Sequence, residues 1–143
     1  MRPLTKCWKT NNMESPDFIQ AFESGDFPPE GFNHKAHIKL AWTYLNQFSE
    51  EMAIDKTCRA IQNFDRLHGD GTKYHVTLTV AAVKMVYHFK QNSNAITFEE
   101  FITEFPKLNT SFRQLLYQHY RKNVIGDPLA KTTYLAPDLL PFK

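Results

Sequence analysis

Apolar and polar residues alternate along most of the chain with the spacing of amphipathic α-helices. One inward stripe follows Asn33, and a second follows Ser49, and both cap residues are of types that favour helix starts. The first stripe comprises His34, His37, Ile38, Ala41, Leu45 and Phe48. The second comprises Ala53, Thr57, Ala60, Ile61, Phe64 and Leu67. We therefore predict two long helices, the second ending at the Gly69-Asp70-Gly71 turn.

The segment from about Tyr74 to Lys90 is apolar on nearly every side. A helix of that character belongs at the centre of a domain. The start of this segment also permits a strand, because it contains the β-branched residues Val76, Thr77, Thr79 and Val80. We favour a helix because the run is too long for an ordinary strand and no partner strands are evident.

Shorter helices are marked by their start signals. Ser15-Pro16-Asp17 opens a first helix, Thr97 to Glu100 forms a capping box, and Asp127-Pro128 begins a last turn. A stripe of Phe112, Leu115, Leu116 and His119 marks a further helix. The prediction is an all-α, single-domain helical bundle of about five to six helices over residues 14–143. A polar tail covers residues 1–13, and the C-terminus is an extended, proline-punctuated tail.

Composition narrows the class of protein. The 143 residues are 42% hydrophobic and 14% aromatic, which argues against disorder. The net charge is +2 without a basic stripe, so no nucleic-acid partner is expected. No apolar run reaches the roughly 20 residues of a membrane span, and no signal peptide is recognisable, so a cytoplasmic protein is expected. Cys7 and Cys58 lack the CxxC spacing of thiolate metal sites.

Three histidines are the best candidates for chemistry. His34 and His37 are three residues apart on one inward helical face, where histidine is uncommon unless its nitrogens have partners. Pairs at this spacing can share one transition metal, and His75, at the start of the central helix, is the expected third ligand. We expect one divalent ion (Zn, Fe, Ni or Co) with an open position for water or a small-molecule substrate.

Other residues are expected to orient that molecule, and other readings remain open. The expected ligand-binding residues are Tyr74, Thr79, His119 and Tyr120. The same side chains also suit a metal-free pocket for a small polar or anionic ligand, or a buried structural network. A protein-interaction domain is a further alternative, with an exposed Phe27-Pro28-Pro29 loop or the Leu139 to Phe142 tail as its docking element. No phosphate-binding loop or nucleophile elbow is present in the sequence, and no pattern names a reaction.

Two segments resemble a family of small, uncharacterised bacterial proteins. Phe32 to Trp42 matches a pattern F-x-H-x-x-H followed by Ala-Trp, and Lys73 to Thr79 matches K-Y-H-x-T-x-T. His119-Tyr120 and Pro137-Asp138-Leu139 resemble the family's ending. The resemblance implies that His34, His37, His75, Thr77 and Thr79 form a shared motif set, without implying an activity. Many relatives have Glu after the third histidine where this chain has Val76, which argues against a two-metal carboxylate site.

Overall fold

A computed structural model describes residues 15–142, so the tail predicted for residues 1–13 lies outside the described part of the chain. Residues 15–142 form eight α-helices and two short 3-10 turns, with no β-strand among them. The all-α prediction is confirmed, including the helical reading of the central segment. The predicted number of five to six helices was too low, because helices of four and five residues are too short to show a periodic pattern.

The first three helices occupy the N-terminal half of the fold: α1 (Ser15–Ser24), α2 (His34–Gln47) and α3 (Glu50–His68). The two predicted caps, Asn33 and Ser49, each accept a hydrogen bond from the backbone N–H three residues further on. These bonds satisfy donors that a helix start leaves unpaired. After α1 the chain reverses at Gly25, whose φ of 84° lies in the left-handed region that favours glycine.

The central helix is α4 (Val76–Lys90), which packs against α2, α3 and α8 (Pro128–Thr132). It begins two residues later than predicted, because His75 is the residue before the helix and caps it. Its buried positions include Val80, Ala81 and Val83, as expected for an apolar helix at the centre of a domain.

The remaining helices are short. They are α5 (Phe98–Glu104), α6 (Lys107–Thr110) and α7 (Phe112–His119), and 3-10 turns lie at Pro29–Gly31 and Lys122–Val124. The capping box predicted for α5 is present, with Thr97 and Glu100 bonding reciprocally. Within residues 15–142, none of the helices has the length and apolar character needed to cross a membrane.

An aromatic cluster fills one end of the core. Phe18, Phe22 and Phe27 pack against one another, and Phe22 and Phe27 also pack against Phe64 of α3, with ring centroids 4.7–6.4 Å apart. Phe27 is 0% exposed. The expectation of an exposed Phe27-Pro28-Pro29 loop was therefore wrong at Phe27, because its ring completes this cluster instead of facing solvent.

Candidate functional site

A cavity of about 340 Å³ opens where α2, α3, α4 and α7 meet. Its volume falls within the range of small-molecule sites, roughly 300–1,000 Å³. Much of its wall is aliphatic. The aliphatic residues include Ala41, Ile61, Leu78, Ala82, Val83 and Leu116.

Five of the seven predicted site residues line this cavity: His34, His37, Tyr74, His75 and Thr79. We call it the histidine cavity. The structure therefore brings His34, His37 and His75 to one cavity. The histidines reach it from two different stretches of chain, because α2 and α4 pack against each other.

His34 and His37 each hydrogen-bond through one ring nitrogen to a backbone carbonyl. His34 Nε2 donates to the Leu108 carbonyl at 2.8 Å, which ties α2 to α6. His37 Nδ1 donates to the Asn33 carbonyl at 2.9 Å, and its ring stacks on Phe32 with centroids 3.9 Å apart. Burial lowers the pKa of His37, partly opposed by the Asn33 carbonyl, and the nearby His34 lowers it further. His37 is therefore neutral at pH 7, and its Nε2 is the acceptor nitrogen.

His75 plays a different part. Its Nδ1 accepts a hydrogen bond from the Leu78 N–H at 3.2 Å, so the imidazole takes the place of the usual Ser, Asp or Asn cap. A neutral imidazole that accepts at Nδ1 carries its proton at Nε2. That Nε2 is buried, and no acceptor among the described residues meets full hydrogen-bond geometry with it, although the carbonyls of Ile125 and Val124 lie near the ring. Burial lowers the pKa of His75, with the carbonyls of Ile125 and Val124 acting in the opposite sense.

The donor atoms in the cavity bear directly on the predicted metal. Among residues 15–142, no group of three or more His, Cys, Asp or Glu side chains is arranged to hold an ion. For His75 to bind a metal through Nε2, its proton would have to move to Nδ1, and the bond from Leu78 would be lost. The metal assignment at His34, His37 and His75 stays a prediction that requires this rearrangement.

The segment before His75 is held from two sides. Asp65 of α3 accepts the N–H groups of Lys73 and Tyr74 at 2.8 and 3.0 Å. Lys131 of α8 donates to the Thr72 carbonyl, and to the Tyr74 carbonyl at 3.0 Å. A carboxylate and an ammonium group thus fix the backbone that presents Tyr74 and His75 to the cavity. Asp65 and Lys131 were not predicted from the sequence, because their contacts depend on how α3 and α8 pack.

Three further cavity residues escaped the sequence-based selection: Thr57, Lys73 and Arg113. Thr57 lies on the predicted inward stripe of α3 and is 2% exposed, and its Oγ1 has no hydrogen-bond partner among the described residues. Lys73 and Arg113 are exposed and mark the mouth of the cavity. The stripe predicted that Thr57 is buried, but nothing in the sequence indicated that Lys73 and Arg113 would line the same cavity.

The motif threonines have distinct roles. Thr79 Oγ1 donates to the His75 carbonyl at 2.7 Å, a bond close to the start of its own helix. Thr77 is fully buried, donates to the Thr133 carbonyl at 2.8 Å and accepts the Leu135 N–H at 3.1 Å. Thr77 therefore joins α4 to the C-terminal segment, which we define as residues 133–142.

His119 and Tyr120 lie away from the histidine cavity and hold the C-terminal segment. Tyr120 is buried, and its hydroxyl donates to the Leu135 carbonyl at 2.7 Å. His119 Nδ1 donates to the Leu140 carbonyl at 2.7 Å, and the His119 carbonyl accepts the Leu139 N–H at 2.9 Å. The structure thus separates the two residues from the other five predicted site residues. His119 borders a different cavity, beside His88 and Phe142.

The motifs that suggested a family resemblance divide between these two regions. Phe32, His34, His37 and Ala41 line the histidine cavity, whereas the 119–120 and 137–139 matches lie where the C-terminal segment is anchored. Comparison with known proteins identifies no matching family, and neither a curated protein nor a solved structure matches the chain. The resemblance stays a prediction, and the function has to be argued from the site itself.

Proposed function

We propose that the protein is a small-molecule-binding module whose site is the histidine cavity. The observation that carries the proposal is a cavity of about 340 Å³ that combines aliphatic walls with polar side chains contributed by each of the four helices around it. Sites for small organic molecules have this composition, since apolar walls supply affinity and a few polar groups fix orientation.

Unsatisfied polar atoms at the cavity wall support the proposal. Thr57 Oγ1 and His75 Nε2 are both buried without a partner among residues 15–142. Buried polar groups are normally hydrogen-bonded, and leaving one unpaired costs about 1–3 kcal/mol. A bound molecule that supplies hydrogen-bonding atoms at this wall would recover part of that cost.

The test is a ligand-observed NMR screen of a fragment library against the wild-type protein and a blocked variant. Ala82 lines the cavity, so Ala82→Leu narrows it by three extra carbon atoms. Ala136 is exposed and does not line this cavity, so Ala136→Leu is the matched control. We expect hits that bind the wild type and Ala136→Leu and lose binding to Ala82→Leu. A library that yields no hits sensitive to Ala82→Leu contradicts the proposal.

Metal-dependent chemistry is the second candidate function, favoured by the presence of His34, His37 and His75 on one cavity. A Zn, Fe, Ni or Co ion would hold water or a substrate at an open position. Near-stoichiometric metal in purified protein, lost in His37→Ala, would support it. Metal-free protein whose melting temperature is unchanged by all four ions would exclude it.

A further inference from the structure

The charged side chains that line the histidine cavity, Lys73 and Arg113, are both cations, whereas Asp70 near Lys73 and Asp127 near His75 lie outside the lining. Lys73 and Arg113 stand at its mouth, and neither forms an ion pair with any residue between 15 and 142. No aspartate or glutamate from that range lines the cavity. The nearby Asp65 carboxylate is occupied by the backbone N–H groups of residues 73 and 74. A cation entering this cavity would find no carboxylate in the lining to bind it, whereas an anion would meet two cations.

Three helix N-termini meet at the same place. The cavity is lined by Asn33 and His34 at the start of α2, His75 at the start of α4, and Phe112 and Arg113 at the start of α7. Each N-terminus carries a partial positive charge from the aligned peptide dipoles. The first turn of α7 has no side-chain cap, unlike those of α2 and α4. The helix dipoles therefore add to the field of the two cations.

Independently of these charges, one polar group in the cavity wall, the Thr57 hydroxyl, lacks a hydrogen-bond partner among the described residues. Thr57 is only 2% exposed, and its Oγ1 is buried. A hydroxyl donates readily to an anionic oxygen. The cavity thus combines long-range attraction for an anion with a buried hydroxyl in its wall that lacks a hydrogen-bond partner within residues 15–142.

The apolar walls favour an anion that carries its charge at one end of an otherwise apolar molecule. Ile61, Leu78 and Val83 form apolar surface, and Phe32 and Phe112 add aromatic surface. A multiply charged or wholly polar molecule would lose hydration against these walls without compensation. The planar guanidinium of Arg113 matches a carboxylate in a two-bond geometry.

We infer that the ligand is a small organic carboxylate with an apolar or aromatic body, its carboxylate facing Arg113 and Lys73 and its body lying along α3 and α4. This inference rests on the proposed function and names the class of ligand that the histidine cavity takes.

The test uses calorimetric titration with probes of one shape and different charge: naphthylacetate, naphthylacetamide and naphthylethylamine, with naphthyl phosphate as a second anion. We expect naphthylacetate to bind at least about tenfold more tightly than the amide, because a charge-assisted hydrogen bond is lost in the amide. Its affinity should fall as salt is raised, while that of the amide should not. The amine should bind most weakly.

Arg113→Gln should abolish the advantage of the acid over the amide while leaving amide binding unchanged. Arg59→Gln is the matched control, since Arg59 is an exposed arginine of α3 that does not line the cavity. Equal affinities for acid and amide, or an unaltered preference in Arg113→Gln, overturn the inference but leave the proposed function standing. Tighter binding of naphthyl phosphate overturns the choice of carboxylate. Failure of all four probes also overturns the inference, whereas failure of the proposed function requires that the fragment screen yield nothing.

Discussion

His75 Nδ1 accepts the backbone N–H of Leu78 at 3.2 Å, so a histidine caps the central helix of this fold. The same ring borders the histidine cavity. The capping bond occupies Nδ1 as the acceptor, so the imidazole proton lies at Nε2. A residue that the sequence marked as a metal ligand therefore also has a structural task, and the two roles make different demands on its proton.

The capping role predicts an order of stabilities. His75→Ala removes the acceptor and should lower the free energy of unfolding by about 1 kcal/mol, as loss of an N-cap generally does. His75→Asn keeps a good N-cap side chain and should lose less than half of that amount. Urea denaturation at neutral pH measures both. Equal losses in the two variants would show that the cap bond does not stabilise α4.

The lowered pKa values of His37 and His75 predict an acid-sensitive fold. Burial is the main cause in each case; His34 adds to it at His37, while Lys131 and Asp127 act in opposite directions at His75. The unfolded chain then binds more protons than the folded one once the pH falls below the ordinary value of 6.5. This part of the stability is fully present above that pH and is lost as the pH falls toward the lowered pKa values.

Unfolding free energies measured from about pH 8 to about pH 5 check the sign. The loss in acid should be smaller in His75→Asn, because the group that must remain neutral is gone. A wild-type protein that gains stability over this range, relative to His75→Asn, contradicts the assignment.

Thr77→Val should be markedly destabilising. The buried hydroxyl bonds both Thr133 and Leu135, so its removal leaves a carbonyl and an N–H unpaired. A loss of about 1–3 kcal/mol is expected from unsatisfied buried groups. Thr110→Val is a control of identical chemistry, since Thr110 is exposed and bonds back to Pro106 within a short helical turn. Thermal unfolding of the two variants should differ clearly; similar melting temperatures would contradict the bridging role.

Tyr120→Phe separates the two regions of the molecule. It removes the hydroxyl that bonds the Leu135 carbonyl and should lower the free energy of unfolding by about 0.5–1.5 kcal/mol. Binding at the histidine cavity should be unchanged, because Tyr120 does not line it. Titrations of the variant with naphthylacetate check this. A large loss of affinity in a folded Tyr120→Phe protein would return Tyr120 to the ligand-binding set.

Local signals made much of the fold predictable. The caps Asn33, Ser49 and Thr97 lie where the sequence placed them, because each bonds to a backbone group only a few residues away. The start of α4 was missed by two residues, since histidine is an unusual cap. Helix α6 was missed because four residues carry no measurable period.

The site was predictable in part, for a physical reason. His34 and His37 share a helix face, so their common placement follows from spacing. The bond from His34 to Leu108 and the approach of Arg113 span more than 70 residues of sequence and depend on how α6 and α7 fold back onto α2. The stripe of the predicted helix ends at His119 and shows that this residue faces inward, but a stripe does not show that His119 and the following Tyr120 contact the C-terminal segment.

The most direct test is a titration of ¹⁵N-labelled protein with naphthylacetate, followed by two-dimensional NMR of the backbone amides. We expect saturable shifts of the amide signals in the first turns of α2, α4 and α7 and around Thr57. The amide signals of His119, Tyr120 and residues 139–142 should change little. Shifts centred on the C-terminal segment would contradict the claim that the histidine cavity is the binding site, and the absence of any saturable shift would contradict the inferred carboxylate ligand.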